Sequence, residues 1–504
     1  MLATVPSATL SGIDGVEVTV EVHVANGLPG YTVVGLPDTA CRESRDRVRA
    51  ALLTAGFRWP DRRTTVNLAP STLRKIGSSL DVAIAVAILV ASEQVHPDAI
   101  AGRAFVGELG LDGTLRHVPG TLSLVDALRG YDVVVPPSSA PEAEMVGPRS
   151  LRCATDLRVL VDALNGDEPW STPVEPGPAP EPESDEDLAE VRGHTVARLA
   201  LEVAAAGGHH LLLSGPPGAG KTMLARRLIG LLPPLDDDVA LETTRVQSAA
   251  GERIDGGLVR RPPWRAPHHG SSAVALVGGG GQRVRPGEIS LAHGGVLFLD
   301  ELGEFPAVAL DSLRQPLEEG CIRLARADAR VELPARFLLV AAMNPCPCGE
   351  GSVPGACRCT ERAIERYRRR VSGPLLDRFD LRIDVQRPDP RQLLGGAPCE
   401  SSATVRERVM RVRTAARSRG VRTNAELRGA ALEACAPLDA AAAGSVEEAL
   451  IAGRITARGL RRIWRVALTL ADLEGHEGPL RKEHIAVAFM LRAEPAVLQV
   501  RHAG

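Results

Sequence analysis

Leu211-Leu212-Leu213-Ser214 runs directly into Gly215-Pro216-Pro217-Gly218-Ala219-Gly220-Lys221-Thr222, so that an apolar segment leads into a complete GxxxxGK[ST] motif. Glycines in such a loop let backbone N–H groups turn towards phosphates, the lysine neutralises phosphate charge, and the threonine hydroxyl reaches Mg²⁺. The N-terminus of the helix that follows also attracts anions. The sequence therefore predicts a nucleoside triphosphate site formed by residues 215–222.

Composition argues against a chance match to this motif. A glycine-rich turn could arise by chance, since the chain has 50 glycines among 504 residues, but lysine occurs only at positions 75, 221 and 482. The formal net charge of −3 indicates no particular partner. The N-terminus has no basic region followed by an apolar core, and the apolar segment Val82 to Ala91 is too short to span a bilayer. We therefore expect a cytoplasmic protein that binds no membrane.

Two further apolar segments end in polar residues. The segment starting at Gly295 ends in Asp300-Glu301, and the segment from Phe337 to Ala342 leads to Asn344. After a phosphate loop, the aspartate would hold Mg²⁺ through water, the glutamate would polarise the attacking water, and the asparagine would help to orient that water. An apolar strand that ends in Asp-Glu is common by itself. The order of loop, acidic strand and polar strand end, however, is that of an AAA+ ATPase, which predicts an α/β fold with a parallel sheet.

An acidic segment separates this region from the N-terminus. Residues 167–190 contain nine acidic residues, six prolines and no basic residue, which predicts a solvated, semi-extended linker. Before it, valines alternate with polar residues from Val16 to Val24, as in a half-buried strand. Helices are expected over 39–54 and 81–92 and a strand over 65–68. Four segments result: an α+β domain over 1–166, the linker over 167–190, the ATPase domain over 191–395 and a C-terminal helical lid over 396–504.

Several longer motifs occur in order along the chain. They are Arg265-Ala266-Pro267-His268-His269, Arg285-Pro286-Gly287-Glu288-Ile289-Ser290-Leu291-Ala292-His293, Phe298-Leu299-Asp300-Glu301, Ala342-Met343-Asn344-Pro345-Cys346-Pro347-Cys348-Gly349 and Gly373-Pro374-Leu375-Leu376-Asp377-Arg378-Phe379-Asp380. Together they resemble the YifB/ComM family of magnesium-chelatase-like AAA+ proteins. The resemblance covers the whole chain outside the linker, and it implies a Lon-protease-like, ribosomal S5 domain 2-type fold for the N-terminal domain.

The resemblance also implies roles for two arginines. Arg378 corresponds to the arginine finger that enters the nucleotide site of a neighbouring subunit, and Arg458 corresponds to the sensor 2 arginine of the lid. Both would stabilise charge on the γ-phosphate. The alternative for each is a surface arginine in an arginine-rich helix, and three arginines near position 458 compete for the second role: Arg461, Arg462 and Arg465. The implied assembly is a homo-oligomer, most simply a hexamer, that uses ATP and Mg²⁺.

Two inserted segments resemble the pore elements of such rings. The 79 positions from Lys221 to Asp300 exceed a simple strand–helix–strand path and resemble a helix-2 insertion. The segment from Cys321 to Leu333 alternates about a turn and resembles the hairpin before sensor 1. Its three arginines would contact DNA phosphates without reading sequence: Arg323, Arg326 and Arg330. The alternative is a solvated hairpin. Aromatic residues make up only 3% of the chain, which disfavours base stacking.

After Asn344, four cysteines occur within fourteen residues: Cys346, Cys348, Cys357 and Cys359. This C-x-C-x8-C-x-C pattern is compatible with a tetrahedral zinc site, although its spacing departs from the usual C-x2-C knuckle. Reduced structural cysteines or redox chemistry are the alternatives. His268 and His269 are interpreted as loop or interface residues rather than metal ligands.

The N-terminal domain raises the question of proteolysis. Ser79 lies where a Lon-type protease would hold its nucleophile, but a Ser-Lys dyad needs a lysine to take the proton. No lysine lies between Lys75 and Lys221, and Lys75 precedes the serine instead of following it. We therefore interpret Ser79 as a helix-start residue and expect no protease activity.

The family resemblance suggests an ATP-driven ring that moves single-stranded or branched DNA through its pore. The implied process is branch migration during recombination of incoming DNA in natural transformation. A function of a different class is the ATPase subunit of a magnesium chelatase, which remodels a protein partner for metal insertion into a tetrapyrrole. The N-terminal domain and the cysteine cluster favour the first function over the second.

Overall fold

The computed structural model describes residues 1–174, 186–254, 257–280, 284–325, 330–351, 356–391 and 399–492. The N-terminal part combines nine strands and five helices among these residues. The strands are β1 Leu2–Ser11, β2 Asp14–Ala25, β3 Gly30–Val34, β4 Arg63–Ala69, β5 Arg103–Phe105, β6 Glu108–Leu109, β7 Leu115–Arg116, β8 Asp132–Val135 and β9 Ser150–Cys153. The helices are α1 Thr39–Thr54, α2 Asp81–Ala91, α3 Thr121–Asp126, α4 Ala140–Glu144 and α5 Leu157–Asn165.

The N-terminal sheet has the order β1-β2-β4-β3, with β3 parallel to β4 and the other pairs antiparallel. The valine alternation predicted one strand correctly, since Val18, Val20, Val22 and Val24 of β2 are all buried. Every residue of α2 is buried because this helix is apolar on all sides and packs against β1 and β2. The predicted helices and strand of this region are confirmed to within two residues at each end.

Ser79 is not a helix cap, contrary to the sequence interpretation. Helix α2 begins at Asp81, its N-cap is Leu80, and no side chain caps it. The Ser79 hydroxyl instead donates to the Ala8 carbonyl at 3.0 Å. The Lys75 ammonium is buried and donates to the carbonyls of Pro70 and Leu73. Each of the two side chains is therefore engaged with backbone carbonyl oxygens.

The central part holds a five-stranded parallel sheet. The other strands of the central part form two small antiparallel pairs, β12 with β13 and β15 with β16. The strands are β10 Leu211–Ser214, β11 Trp264–Arg265, β12 Gly278–Gly279, β13 Arg285–Pro286, β14 Val296–Leu299, β15 Cys321–Ala325, β16 Arg330–Pro334, β17 Leu338–Met343 and β18 Leu381–Asp384. The helices are α6 Thr195–Gly207, α7 Lys221–Arg227, α8 Asp237–Ala250, α9 Ala273–Val277, α10 Glu288–Leu291, α11 Ala307–Asp311, α12 Arg314–Glu319, α13 Glu361–Arg370 and α14 Gly373–Leu376.

The parallel sheet has the strand order β11-β14-β17-β10-β18. All four residues of β10 and of β14 are buried, as expected for strands covered by helices on both faces. The described residues of the predicted C-terminal lid are mainly helical. Its helices are α15 Ser402–Ser418, α16 Gly429–Cys435, α17 Ala440–Ile451, α18 Ala457–Glu474 and α19 Lys482–Met490. Within the described ranges, no helix combines the length and the apolar character that crossing a bilayer requires.

Single residues anchor the two described ends of the predicted linker, although most of the residues around them are exposed. At one end, the guanidinium of Arg103 lies 5.8 Å from the ring centroid of Trp170. At the other, Leu188 is buried, and its backbone N–H donates to the hydroxyl of Ser402 at 2.8 Å. The composition of this segment did not reveal these anchors, because both depend on single apolar residues. Residues 175–185 of the predicted linker lie outside the described residues.

The N-terminal part packs directly against the central part through α3 and α8. The backbone N–H of Gly120 donates to the Ser248 carbonyl at 2.9 Å. Arg245 pairs with Asp126 at 2.5 Å, and both side chains are about three-quarters buried. Apolar side chains of both regions belong to one continuous core cluster. The N-terminal part and the central part therefore share a packed interface at α3 and α8.

Candidate nucleotide-binding site

Three strands of the parallel sheet bring the predicted site residues together. β10 ends at Ser214, immediately before the phosphate loop, while β14 ends at Leu299 and β17 ends at Met343. Because β17 lies between β14 and β10 and all three are parallel, their carboxyl ends meet at one edge of the sheet. Crevices at this edge are where open α/β sheets bind ligands.

The phosphate loop has the conformation that its sequence predicts. Gly218 and Gly220 have φ values of +75° and +85°, which side chains with a Cβ rarely adopt. Helix α7 starts at Lys221, whose side chain is largely buried inside the loop. Its ammonium donates to the carbonyls of Gly215 and Pro216 at 2.7 and 3.0 Å. Burial lowers the pKa of Lys221, and the nearby carboxylates of Asp300 and Glu301 oppose that effect.

The residues that would hold Mg²⁺ are already in contact. The Thr222 hydroxyl donates to Oδ2 of Asp300 at 2.7 Å, and the backbone N–H of Glu301 donates to Oδ1 at 2.9 Å. A hydroxyl and a carboxylate oxygen at this separation form a hard donor set that suits Mg²⁺ bound together with phosphate oxygens and water. The donors present therefore fit a nucleotide with its Mg²⁺.

Asn344 joins the third strand to this loop. Its Oδ1 accepts a hydrogen bond from the Lys221 ammonium at 3.0 Å. The side chain therefore reaches the position where the terminal phosphate would meet the lysine. Tyr367 is buried behind it, and a hydrogen bond with the Asn344 backbone connects the two residues.

Glu301 has a partner that the sequence interpretation missed. Nδ1 of His269 lies 3.0 Å from Oε2 of Glu301, and both side chains are partly exposed. Glu301 has a φ of +52°, an uncommon conformation for a residue with a side chain. The sequence motif that contains His269 gives no sign of this contact, because His269 and Glu301 are 32 positions apart. His269 is therefore a contact of the carboxylate that would polarise water.

Arg378 lies at the opposite edge of the sheet. It is three residues before β18. At the start of β18, the backbone N–H groups of Asp380 and Leu381 donate to the carbonyl of His210, the residue just before β10. Its guanidinium pairs with Glu318 of α12. Burial lowers the pKa of Arg378, and the nearby guanidinium groups of Arg462 and Arg458 lower it further. A cavity of about 470 Å³ opens beside this pair, and Glu318 is among its lining residues.

Arg458 shares this edge with Arg378. It lies in the first turn of α18 and is exposed. One turn later, Arg462 donates to the carbonyl of Arg378 at 3.0 Å and pairs with Asp380 at 2.6 Å. The competing arginine at 462 is therefore held by an ion pair. Arg458 lies beside Arg378 and has no ion pair with any described residue.

The antiparallel pair β15–β16 carries the predicted DNA contacts on one face. Arg323 and Glu332 are register partners, and Arg323 pairs with Glu332 at 3.1 Å and with Glu319 at 2.6 Å. Arg330 is exposed on the same face, and none of the described acidic residues forms an ion pair with it. Arg326 lies outside the described residues. The opposite face is apolar and buried, with Val331 packed against Gly12 of the N-terminal part.

The helix-2 insertion predicted between Lys221 and Asp300 includes a small antiparallel pair. Gly279 of β12 faces Arg285 of β13. Gly278 has a φ of +94°, and a Cβ at this position would collide with the backbone of β13. Glycine is therefore required here both for conformation and for close approach.

The four predicted cysteine ligands also converge. The thiols of Cys346, Cys348, Cys357 and Cys359 all lie within 4.8 Å of one another. They follow Asn344 directly, so that this cluster and the phosphate loop share one edge of the sheet.

Three sequence families match this chain. The family described as magnesium chelatase, subunit ChlI, matches residues 187–393. The family described as subunit ChlI of Mg-chelatase matches residues 20–139, and the ChlI C-terminal family matches residues 399–492. All three parts of the structure are therefore represented in sequence families named after one chelatase subunit.

Similar proteins cover nearly the full length of this chain. An uncharacterised protein of Mycobacterium tuberculosis is 46% identical over 494 residues, which are 96% of this chain and 97% of that protein. The competence protein ComM of Haemophilus influenzae is 43% identical over 505 residues, 99% of each. The uncharacterised protein YifB of Escherichia coli is 41% identical over 497 residues, 98% of this chain and 97% of that protein.

Proposed function

The chain belongs to the YifB/ComM family of magnesium-chelatase-like AAA+ proteins, and on this basis we propose that it is an ATP-hydrolysing ring motor that translocates DNA. When bound, the nucleotide with its Mg²⁺ supplies the phosphoryl group that water attacks. Lys221 would neutralise phosphate charge, while Thr222 and Asp300 would hold the metal. Glu301 would accept a proton from the attacking water, and Asn344 would orient that water.

The position of Arg378 is the observation that carries the ring proposal. The phosphate loop lies at the carboxyl ends of the strands, whereas Arg378 precedes β18 at their amino ends. The four residues of β10 alone separate the two edges by about 13 Å. This separation supports the proposal that Arg378 serves a nucleotide bound to a neighbouring subunit, and Arg458 beside it would serve the same nucleotide. Such head-to-tail contacts close into rings, of which we propose a homohexamer.

Two observations support DNA as the substrate of this motor. The relative from Haemophilus influenzae is named a competence protein, and similarity to it extends over 99% of this chain. The pair β15–β16 presents arginine on an exposed face next to the ATPase core. We propose that the ring tracks the phosphate backbone of single-stranded or branched DNA and promotes branch migration in recombination of incoming DNA during natural transformation.

The chelatase function remains the second candidate because of the families that match the chain. One family named for subunit ChlI also matches residues 20–139, so the N-terminal region does not by itself separate the two functions. In that case the ring would remodel a protein partner that inserts Mg²⁺ into a tetrapyrrole. The two candidates differ in whether DNA or a protein stimulates ATP hydrolysis.

ATP hydrolysis by the purified protein separates these candidates. We expect a four-way junction or single-stranded DNA to stimulate hydrolysis several-fold over the DNA-free rate, because a motor hydrolyses faster when it is engaged with its substrate. Lys221→Ala is expected to abolish the basal and the stimulated activity, since this lysine is the cation of the phosphate loop. Strong hydrolysis that is indifferent to single strands, duplex and junction would reject the DNA motor and favour the chelatase function.

The two described arginines of the β15–β16 pair are expected to differ in their contribution to DNA binding. Arg330→Ala should weaken binding of DNA of any sequence and reduce the slope of log K against log salt concentration by about 1. Arg323→Ala is the matched control on the same face, and its effect should be smaller because Glu319 and Glu332 already neutralise its charge. Fluorescence anisotropy with a labelled single strand measures both. Equal effects of the two variants would contradict the proposed contact.

A further inference from the structure

The four-cysteine cluster has the dimensions of a metal site. The sulfur of Cys346 lies 3.3 Å from that of Cys348 and 3.7 Å from that of Cys357, and the sulfurs of Cys348 and Cys357 are 3.8 Å apart. Four sulfurs at about 2.3 Å from a tetrahedral centre are separated by roughly 3.8 Å. A disulfide would need about 2.05 Å, so all four thiols are unbonded.

The surrounding backbone also suits bound thiolates. The backbone N–H groups of Glu350 and Arg358 lie close to the sulfur of Cys348. A Cβ added at Gly351 would lie 3.1 Å from the sulfur of Cys346, so the chain passes close to the cluster. Backbone amides around converging sulfurs are a common environment of Cys₄ sites, in which the outer shell orients the ligands.

The cluster is attached to the nucleotide site on two sides. Cys346 is two residues after Asn344, whose side chain accepts from Lys221. On the other side, Gly349 lies against the phosphate loop so closely that a Cβ there would overlap the ring of Pro217. Arg387 adds a bridge, because its guanidinium lies 3.4 Å from the Pro217 carbonyl oxygen and 3.3 Å from a Glu350 carboxylate oxygen. The order of this segment therefore affects both Asn344 and the phosphate loop.

We propose that Cys346, Cys348, Cys357 and Cys359 bind one zinc ion, which holds residues 344–351 against the phosphate loop and so organises the nucleotide site. Four thiolates are a soft donor set that selects zinc over Mg²⁺, so this site is chemically distinct from the one at Thr222 and Asp300. Four protein ligands leave no open coordination position, so the ion is structural. Loss of zinc would free the segment that carries Asn344.

Metal content tests this proposal without reference to ATP hydrolysis or DNA. Protein purified in reducing buffer should contain about one zinc per chain by mass spectrometry of the elements. The double variant Cys348→Ser/Cys357→Ser should lose it, whereas Cys435→Ser, which removes a thiol outside the cluster, should keep it. Iron in place of zinc, only trace metal, or equal zinc in the double variant would overturn the proposal.

Two further measurements keep the test valid if the double variant folds poorly. The unaltered protein, reloaded with Co²⁺, should show the sulfur-to-metal charge-transfer and ligand-field bands of a tetrahedral thiolate site; their absence would overturn the proposal. Removing zinc with a chelator should weaken binding of a fluorescent ATP analogue by about tenfold, and re-adding zinc should restore it. Unchanged nucleotide affinity after complete zinc loss would overturn the coupling to the phosphate loop. Both readouts are independent of whether the protein moves DNA.

Discussion

Glu301→Gln is expected to reduce ATP hydrolysis about 10²- to 10⁴-fold while leaving ATP affinity nearly unchanged. The Lys221 ammonium is hydrogen-bonded to the carbonyls of Gly215 and Pro216 and to Asn344, and it does not depend on this carboxylate for its position. In the proposed mechanism, Glu301, next to Asp300, would take the proton of the water that attacks the terminal phosphate. Glutamine keeps the shape and removes the base, so hydrolysis and binding should separate.

The matched control is Glu304→Gln, which changes a nearby glutamate that pairs with Arg370. Its hydrolysis rate should remain within about twofold of that of the unaltered protein, because an exposed ion pair contributes little to the stability of the fold. Steady-state phosphate release gives the rates, and titration with a fluorescent ATP analogue gives the affinities. Comparable loss in the two variants would show that Glu301 acts through local structure, and a parallel loss of ATP affinity would place it in binding rather than in proton transfer.

The elements that the sequence predicted well are those whose pattern is local. The expected helix over residues 39–54 begins and ends there in the structure, because Asp38 accepts from the backbone N–H of Cys41 and fixes the start. The phosphate loop is equally local, since its conformation depends on glycines within eight positions. The alternation of apolar and polar residues predicted β2 correctly because one face of this strand is buried. A shift of its pairing register by one residue would expose that face.

Contacts between distant residues were not predictable in the same way. Arg323 appeared in the sequence as one of three candidate DNA contacts, but the register of β15 with β16 places Glu332 directly opposite it. The pairing of His269 with Glu301 and of Arg378 with Glu318 likewise depends on how the sheet order folds separate segments together. Within the linker ends, Trp170 and Leu188 provide anchors that a count of charges does not detect.

Arg378→Ala is expected to lower ATP hydrolysis about 10³-fold or more, as loss of an arginine finger does. ATP binding to the same subunit should be unaffected, because Arg378 lies at the sheet edge opposite its own phosphate loop. Arg369→Ala is the matched control, since this exposed arginine of α13 pairs only with a glutamate one turn away among the described residues. Its rate should stay close to that of the unaltered protein.

A mixing experiment then decides whether the finger acts between subunits. Arg378→Ala subunits retain Lys221 and Glu301, whereas Glu301→Gln subunits retain Arg378. Each variant alone is nearly inactive, but in a random equal mixture about one quarter of the interfaces combine an intact Glu301 with an intact Arg378 from the neighbour. Hydrolysis should therefore reappear on mixing, and it should do so only at protein concentrations at which the ring assembles. If Arg378 served its own nucleotide, no interface in the mixture would be complete, and the mixture would stay as inactive as its components.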